Sequence, residues 1–396
     1  MNNKWIRAAI PALLIHCSIG TVYCWSTFKT AIAEQIGMST FSVGWAFSLA
    51  IFFLGMSAAF CGNLVEKNIH KSSLISCICF SAGMIGTGLA VHFLTGAAAL
   101  IVIYLCYGCL MGIGLGIGYL TPVKTLMLWF KESPGIATGI SIAGFGLAKA
   151  IATPVMELIQ SKLNIASMFY ILGAIYFIIM FIGHKLLKKP DDWVEPKVNN
   201  EFKIAQILKN KDFILIWLMF YINIHCGLAL ISYEKQLLSY VGLAGVALAF
   251  IPSLTALFNA AGRLGYSALS DKLSDRNYTY YIIFISSILI TLLGLLTQLK
   301  ISIIVIILLL IINAGYGGGF STLPALLSSR FGMKNISKIH GLALSAWAIA
   351  GLTGNNLSEL ILKLSNNNYY IILISTGLLY IIGFICSYKI KKERLE

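Results

Sequence analysis

Residues 62–71 read GNLVEKNIHK, and a related stretch, SALSDKLSDR, occupies residues 267–276 in the second half of the chain. In both stretches an acidic residue precedes a lysine, and both follow a long apolar run. Three further matches occur in the same order: Ile-His-Cys at 15–17 and 224–226, GIGYLTPVKTLMLWF (116–130) with GGGFSTLPALLSSRF (317–331), and Glu-Leu-Ile at 157–159 and 359–361. Self-similarity of this kind predicts two structural repeats.

Between these matches the chain is almost continuously apolar. Of its 396 residues 58% are hydrophobic and 11% are charged, with a mean hydropathy of +0.84, whereas soluble domains carry about 25% charged residues. This composition excludes a water-soluble enzyme and a nucleic-acid-binding protein, and it indicates a lipid bilayer as the solvent. A helix needs ~20 apolar residues to cross the hydrocarbon core. The apolar runs therefore predict an all-α membrane protein of twelve transmembrane helices in two six-helix repeats, near 6–28, 43–62, 72–93, 97–124, 135–160, 167–187, 212–232, 246–267, 279–298, 301–324, 339–362 and 370–388.

The net charge of +14 reflects membrane topology. If both termini are cytoplasmic, 21 of the 29 lysines and arginines lie on the inner side and five on the outer side, and three lie inside spans. Such an excess of basic residues on one side follows the positive-inside rule. We therefore expect a multi-pass protein of the cell membrane with both termini in the cytoplasm.

The long charged segment 188–211 separates the two repeats. It divides the chain into an N-terminal six-helix half (1–187), a cytoplasmic linker (188–211) and a C-terminal six-helix half (212–396). Repeats of this type are typical of secondary transporters, in which the substrate binds near the bilayer midplane between the halves. The nine cysteines all fall within predicted spans, so neither a disulfide framework nor a zinc site is indicated. We predict no catalytic residues, no cofactor and no metal.

Arg263 is the strongest candidate for a substrate-binding residue. An ionised side chain at the centre of a transmembrane helix costs ~2.5–3.5 kcal/mol on insertion scales, so it is expected to face a water-filled cavity or a partner. Because no acidic residue lies at mid-depth in a predicted span, an anionic substrate is the natural partner, with a bond to backbone carbonyls as the structural alternative. A guanidinium binds a carboxylate bidentately. Asn259, one turn earlier on the same face, would orient the guanidinium or donate to the substrate.

Lys149 and Lys124 are the other two cations inside predicted spans. Three roles remain open for Lys149: a second ligand for a carboxylate, a residue that exchanges protons, or a side chain that extends to the interface or pairs with Glu157. Lys124 lies near the inner end of its helix, and its side chain is expected to extend to the interface.

His16 and His225 occupy equivalent positions in the first and seventh predicted helices. Histidine titrates near neutral pH and can relay protons, but a helical histidine also commonly bonds a neighbouring backbone group. Proton symport and anion exchange therefore both remain open.

Several motifs resemble those of one transporter family. GTVYCWSTF (20–28), GIATG (135–139), AGFGL (143–147) and NAAGR (259–263), with a tyrosine ten residues before Trp129, look like the oxalate/formate antiporter family of the major facilitators, which includes bacterial monocarboxylate transporters. The resemblance covers nearly the whole chain. It implies the major facilitator fold, a substrate-binding role for Arg263, and a pocket lined by Tyr23, Tyr119, Tyr316 and Phe320.

The chain departs from this family at Trp347, a further residue expected to line the substrate pocket, which aligns with a lysine in members that exchange oxalate. Val22 and Ile51 replace two glutamines of that family's pocket. Since two carboxylates held without water require two cations, a pocket with one secure cation and more apolar walls favours a monocarboxylate.

The stretch GNLVEKNIHK also resembles the major facilitator signature G-x-L-x-D-R/K-x-G-R/K-R/K. It keeps Gly62 and Lys67, with Glu66 in place of the aspartate, and Asp271 and Lys272 occupy the same place in the second repeat. A carboxylate at a helix end pairs with cations and with the N-terminus of a neighbouring helix. We expect these residues to hold the cytoplasmic side shut in one state.

Taken together, the residues predict a monomeric carrier of a small organic carboxylate, most simply a lactate- or formate-like monocarboxylate. An oxalate or dicarboxylate exchanger that uses Lys149 as its second cation is one alternative. A receptor that binds its ligand without transport is another. A multidrug exporter is disfavoured because its pocket would carry exposed acidic residues for cationic drugs.

Overall fold

The structure is a computed structural model that describes residues 3–193, 204–231 and 233–390. Part of the predicted linker and the basic residues after 390 lie outside the described residues. Within the described ranges every regular element is a helix. The part of the chain that the structure describes contains twelve long helices: α1 Trp5–Ile36, α2 Thr40–Lys67, α3 Ile69–Phe93, α4 Gly96–Trp129, α5 Pro134–Lys162, α6 Ile165–Leu186, α7 Lys211–Ile231, α8 Gly245–Ser270, α9 Tyr278–Leu296, α10 Ser302–Phe331, α11 Ile336–Leu364 and α12 Tyr369–Lys389.

These helices confirm the predicted all-α membrane fold. Eleven of them are long and apolar enough to cross a bilayer. The twelfth, α11, has 29 residues and is also long enough, but polar residues reduce its hydropathy. Two short helices, Ile204–Leu208 and Glu234–Tyr240, lie on either side of α7.

Short polar residues set the helix boundaries. Ser39 precedes α2, and its hydroxyl accepts the Ser42 N–H at 3.1 Å. The Asn68 side chain accepts the Lys71 N–H at 2.8 Å and so caps α3, which begins directly after α2 ends. Because the first N–H groups of a helix lack intrahelical partners, such caps stabilise each start.

The chain forms two compact units. Unit 1 contains Met1–Glu132, Ile140–Pro196 and Lys334–Ala348, and unit 2 contains Ser133–Gly139, Lys197–Met333 and Ile349–Glu396. The start of α11 thus belongs to unit 1, and the start of α5 belongs to unit 2. The division into two six-helix halves stays a prediction.

Glycines bring the helices of unit 1 into close contact. A Cβ on Gly116 of α4 would lie 2.1 Å from the Leu54 carbonyl oxygen of α2, and one on Gly341 of α11 would lie 2.1 Å from the Ala58 carbonyl oxygen. Helices in a bilayer associate largely through such close packing of small residues. These contacts hold α4 and the start of α11 against α2.

In unit 2 the closest packing joins α8 and α10. A Cβ on Gly262 would lie 2.1 Å from the Ala314 carbonyl oxygen, and one on Gly317 would lie 2.2 Å from the Asn259 carbonyl oxygen. The two helices therefore touch backbone to backbone at the level of Arg263.

Large apolar side chains are exposed on both units. Phe60 is 74% exposed in unit 1, and Leu296 is 72% exposed in unit 2. In water such surfaces would be costly, but lipid tails are as apolar as these side chains. The exterior therefore fits a bilayer.

Candidate substrate site

Arg263 lies on α8 and is 2% exposed. Its Nε donates to Asn259 Oδ1 at 3.0 Å, one helical turn earlier. Since residues four apart share a helix face, the sequence alone places this pair together. Of the two roles left open for Asn259, the geometry favours orientation of the guanidinium.

Two rings of α10 complete the surroundings of Arg263 within unit 2. Its guanidinium carbon lies 5.5 Å from the centre of the Phe320 ring, a distance typical of a cation–π contact. The Tyr316 ring is 5.1 Å from that of Phe320. Both rings are buried, and the backbone contact of α8 with α10 explains why they reach Arg263.

Unit 1 contains a second group of candidate residues. The centres of the Tyr119 and Trp347 rings lie 5.6 Å apart, and both side chains are buried. Phe145 joins them, at 5.7 Å from Tyr119 and 5.9 Å from Trp347. Tyr23 packs edge-on against the same Phe145 at 5.4 Å.

Phe145 is therefore the centre of this aromatic cluster, and the sequence reasoning did not single it out. The signal that was available is its place between two glycines in AGFGL (143–147). Its backbone also meets α1 closely, because a Cβ on Gly20 would lie 2.3 Å from the Phe145 carbonyl oxygen. Gly20 begins a 3-10 turn, Gly20–Cys24, which carries Tyr23.

His16 lies at the junction of α1, α4 and α5 in unit 1. Its Nδ1 is 2.6 Å from the Ser141 carbonyl oxygen, and its Nε2 is 3.2 Å from the Tyr119 carbonyl oxygen. The imidazole also stacks on the Tyr119 ring at 5.2 Å. These backbone contacts give His16 a structural role in holding Tyr119, and the proton-relay role stays a prediction.

His225 of unit 2 has side-chain partners. Its Nδ1 lies 3.0 Å from Thr353 Oγ1 and 3.3 Å from the Tyr221 hydroxyl. The residue is buried. A relay through His225 also remains a prediction.

Lys149 is exposed on α5 within unit 1. Among the ion pairs of the described residues, none joins Lys149 to Glu157. One turn later on α5, Thr153 contacts Cys24 Sγ at 3.7 Å. The structure therefore offers no support for pairing with Glu157, while the other roles of Lys149 stay open.

Lys124 does not extend to the interface, so that expectation is wrong. Its side chain is 3% exposed and forms an ion pair with Glu66. A desolvated ammonium requires a partner, and the contact of α4 with α2 places Glu66 within reach of Lys124. The partners are 58 residues apart, which explains why the local pattern missed them.

The signature carboxylates each cap another helix. Glu66 Oε1 accepts the Ser337 N–H at 2.6 Å, at the start of α11 in unit 1. In unit 2, Asp271 accepts the Gly135 and Ile136 N–H groups at 2.9 and 2.8 Å, at the start of α5. Negative charge is favourable at a helix N-terminus.

The rest of the signature surrounds these caps. A Cβ on Gly62 would lie 2.6 Å from the Ser337 carbonyl oxygen, so glycine is required for the approach. Arg276 pairs with Asp271 at 3.2 Å, whereas Lys67 and Lys272 are exposed. The role of these contacts in gating stays a prediction.

Comparison with known protein families identifies the family of this chain. The family model for the Major Facilitator Superfamily matches residues 12–355. The chain belongs to this superfamily. A crystal structure of the major facilitator transporter FucP in an outward conformation covers 97% of this chain and 98% of its own, with a TM-score of 0.72 and 12% identity, which supports the fold alone.

Three relatives of this major facilitator are more similar in sequence. The uncharacterized MFS-type transporter YhjX of Escherichia coli is 25% identical over 365 residues, 89% of this chain and 86% of its own. The oxalate:formate antiporter of Oxalobacter formigenes is 24% identical over 366 residues, 91% of this chain and 85% of its own. The apicoplast pyruvate carrier 1 of Toxoplasma gondii is 21% identical over 458 aligned residues, 86% of this chain and 81% of its own.

Proposed function

We propose that this major facilitator is a secondary active transporter of a small monocarboxylate, working by alternating access in the cell membrane with both termini in the cytoplasm. The observation that carries the proposal is the buried guanidinium of Arg263, oriented by Asn259 and placed against the Phe320 ring. Arginine presents a planar set of donors that matches a carboxylate. An ionisable side chain within a membrane span is expected to mark a substrate pathway.

The surroundings of Arg263 support one carboxylate rather than two. Within unit 2, Phe320 and Tyr316 present apolar ring surface beside the guanidinium. Rings of this kind enclose a small alkyl group. The names of two relatives support a small carboxylate as the substrate: one is an oxalate:formate antiporter, which handles both a dicarboxylate and a monocarboxylate, and the other carries the monocarboxylate pyruvate.

Transport by purified protein in proteoliposomes tests the proposal. Labelled lactate, formate and oxalate are offered separately, with and without the same anion inside the vesicles. We expect saturable flux of lactate or formate that exceeds that of oxalate. Flux of none of the three carboxylates above that of empty vesicles would overturn the proposal, and ligand binding without flux would favour a receptor.

Exchange of a dicarboxylate is the second candidate, because Lys149 is an exposed cation on α5. Lys149→Gln separates the two candidates in the same vesicles. If the substrate is a monocarboxylate, Lys149→Gln leaves its KM unchanged. A loss of affinity confined to oxalate would instead assign Lys149 as a second ligand.

A further inference from the structure

Glu234 is a buried acid that the transport site described above does not use. Glu234 is 8% exposed, and the other described acid of unit 2 that is buried to this extent as a whole residue is Asp275, at 4%. Asp275 is paired with Arg330 at 2.7 Å, beside the predicted inner loop. Glu234 begins the short helix Glu234–Tyr240, which follows α7 on the predicted outer side.

The Glu234 carboxylate points to α8. Thr255 Oγ1 lies 2.5 Å from Glu234 Oε1, a separation typical of a hydroxyl bonded to a carboxylate. Thr255, Asn259 and Arg263 follow at intervals of four, so they share one face of α8. At 1.5 Å per residue, Thr255 lies about 12 Å from Arg263 along the helix axis.

The same hydroxyl can serve both protonation states of Glu234. Thr255 Oγ1 also lies 2.9 Å from the Pro252 carbonyl oxygen. A hydroxyl has one proton to donate and lone pairs to accept. With Glu234 ionised, Thr255 donates to the carboxylate, and with Glu234 protonated, the carboxylic acid donates to Thr255 while Thr255 donates to Pro252.

The titratable groups of the described elements around Glu234 can be named. Residues 245–262 of α8 and 302–315 of α10, two helices packed against the short helix, contain none. Tyr240 of the short helix also contacts Tyr369 of α12, with 5.3 Å between the ring centres. From α11, Glu359 pairs with Lys363 at 2.9 Å, and the neighbouring Lys235 is exposed. Burial raises the pKa of Tyr233 to about 12, and electrostatic interactions with Glu359 and Tyr369 are smaller causes in the same direction. This phenol therefore stays protonated.

We propose that Glu234 is the proton-binding residue of this transporter and that its protonation is coupled to movement of the monocarboxylate. The inference rests on the proposed function and adds the coupling ion to it. The predicted spans of this chain carry no acid at mid-depth. Glu234 provides a carboxylate that contacts Thr255, on the face of α8 that also carries Arg263, and that retains a hydrogen bond with or without its proton.

The test compares two activities of the full chain in proteoliposomes, with labelled lactate as the probe. One is lactate accumulation driven by an outside-acid pH gradient, and the other is lactate/lactate exchange at equal pH. Glu234→Gln is expected to lose the gradient-driven accumulation and to keep exchange, because glutamine resembles the protonated acid and bonds Thr255 but carries no exchangeable charge. Glu34→Gln, which alters an exposed acid on the predicted outer side, is the matched control and is expected to behave as the native protein.

Thr255 gives a second test that does not depend on the folding of Glu234→Gln. Thr255→Ser keeps the hydroxyl and should retain gradient-driven accumulation with the native pH profile, whereas Thr255→Val should shift that profile. A gradient response in Glu234→Gln equal to that of the native protein would overturn the inference, as would native exchange that ignores the gradient. A native protein that moves no carboxylate would overturn the proposed function itself, so the two failures are distinguishable.

Discussion

Replacement of Arg263 by glutamine should abolish tight carboxylate binding. Truncating one partner of a buried, hydrogen-bonded charge pair costs about 2–5 kcal/mol, and 1.4 kcal/mol corresponds to a factor of ten in affinity. We therefore expect the Kd for the carboxylate to rise by a factor of about 30 to several thousand. Arg263→Lys keeps the charge but loses the bond to Asn259 and the planar contact with Phe320, so its Kd should fall between those of the native and glutamine proteins.

Thermal unfolding in detergent at increasing lactate concentration measures these constants, because a ligand that binds only the folded state raises the unfolding temperature. Without ligand, Arg263→Gln should still unfold in one cooperative transition, which shows that the variant is folded. Arg7→Gln removes the same group near the start of α1 and is the control. A native lactate response in Arg263→Gln would refute the reasoning.

Two further variants test the packing of unit 1. Glu66→Gln leaves the buried Lys124 opposite a neutral amide and should cost about 3–5 kcal/mol of folding free energy. Adding Lys124→Met to this variant should restore most of the lost stability in the same unfolding assay. A native unfolding temperature for Glu66→Gln alone would contradict the importance of this pair. Gly341→Val places a Cβ 2.1 Å from the Ala58 carbonyl oxygen and should cost about 1–3 kcal/mol of folding free energy. The control is Gly265→Ala, whose Cβ would meet no atom within 4 Å, and it should leave stability unchanged or improve it. Equal stability of the two glycine variants would argue against the close approach of α11 to α2.

Much of the candidate site follows from local sequence patterns. The Arg263–Asn259 contact is an example, because a separation of four residues on a helix is a contact in any tertiary context. Charges inside an apolar run are equally visible, since their cost in lipid does not depend on the neighbouring helices. Phe145, by contrast, is one of 22 phenylalanines, and its place between Tyr119 and Trp347 depends on how α4, α5 and α11 meet.

The sequence by itself determined the membrane class and the helices, because hydropathy and periodicity are local properties, and it predicted the two-half division and the positive charge of the candidate site. Tertiary structure decided the partners: Lys124 with Glu66, and Glu234 with Thr255. Glycines allow the backbones of neighbouring helices to touch, and side chains far apart in the chain then come within bonding distance. A pattern along one helix contains no information about which side chain of another helix lies opposite, so the prediction for Lys124 was wrong and the contact of Glu234 with Thr255 was not predicted.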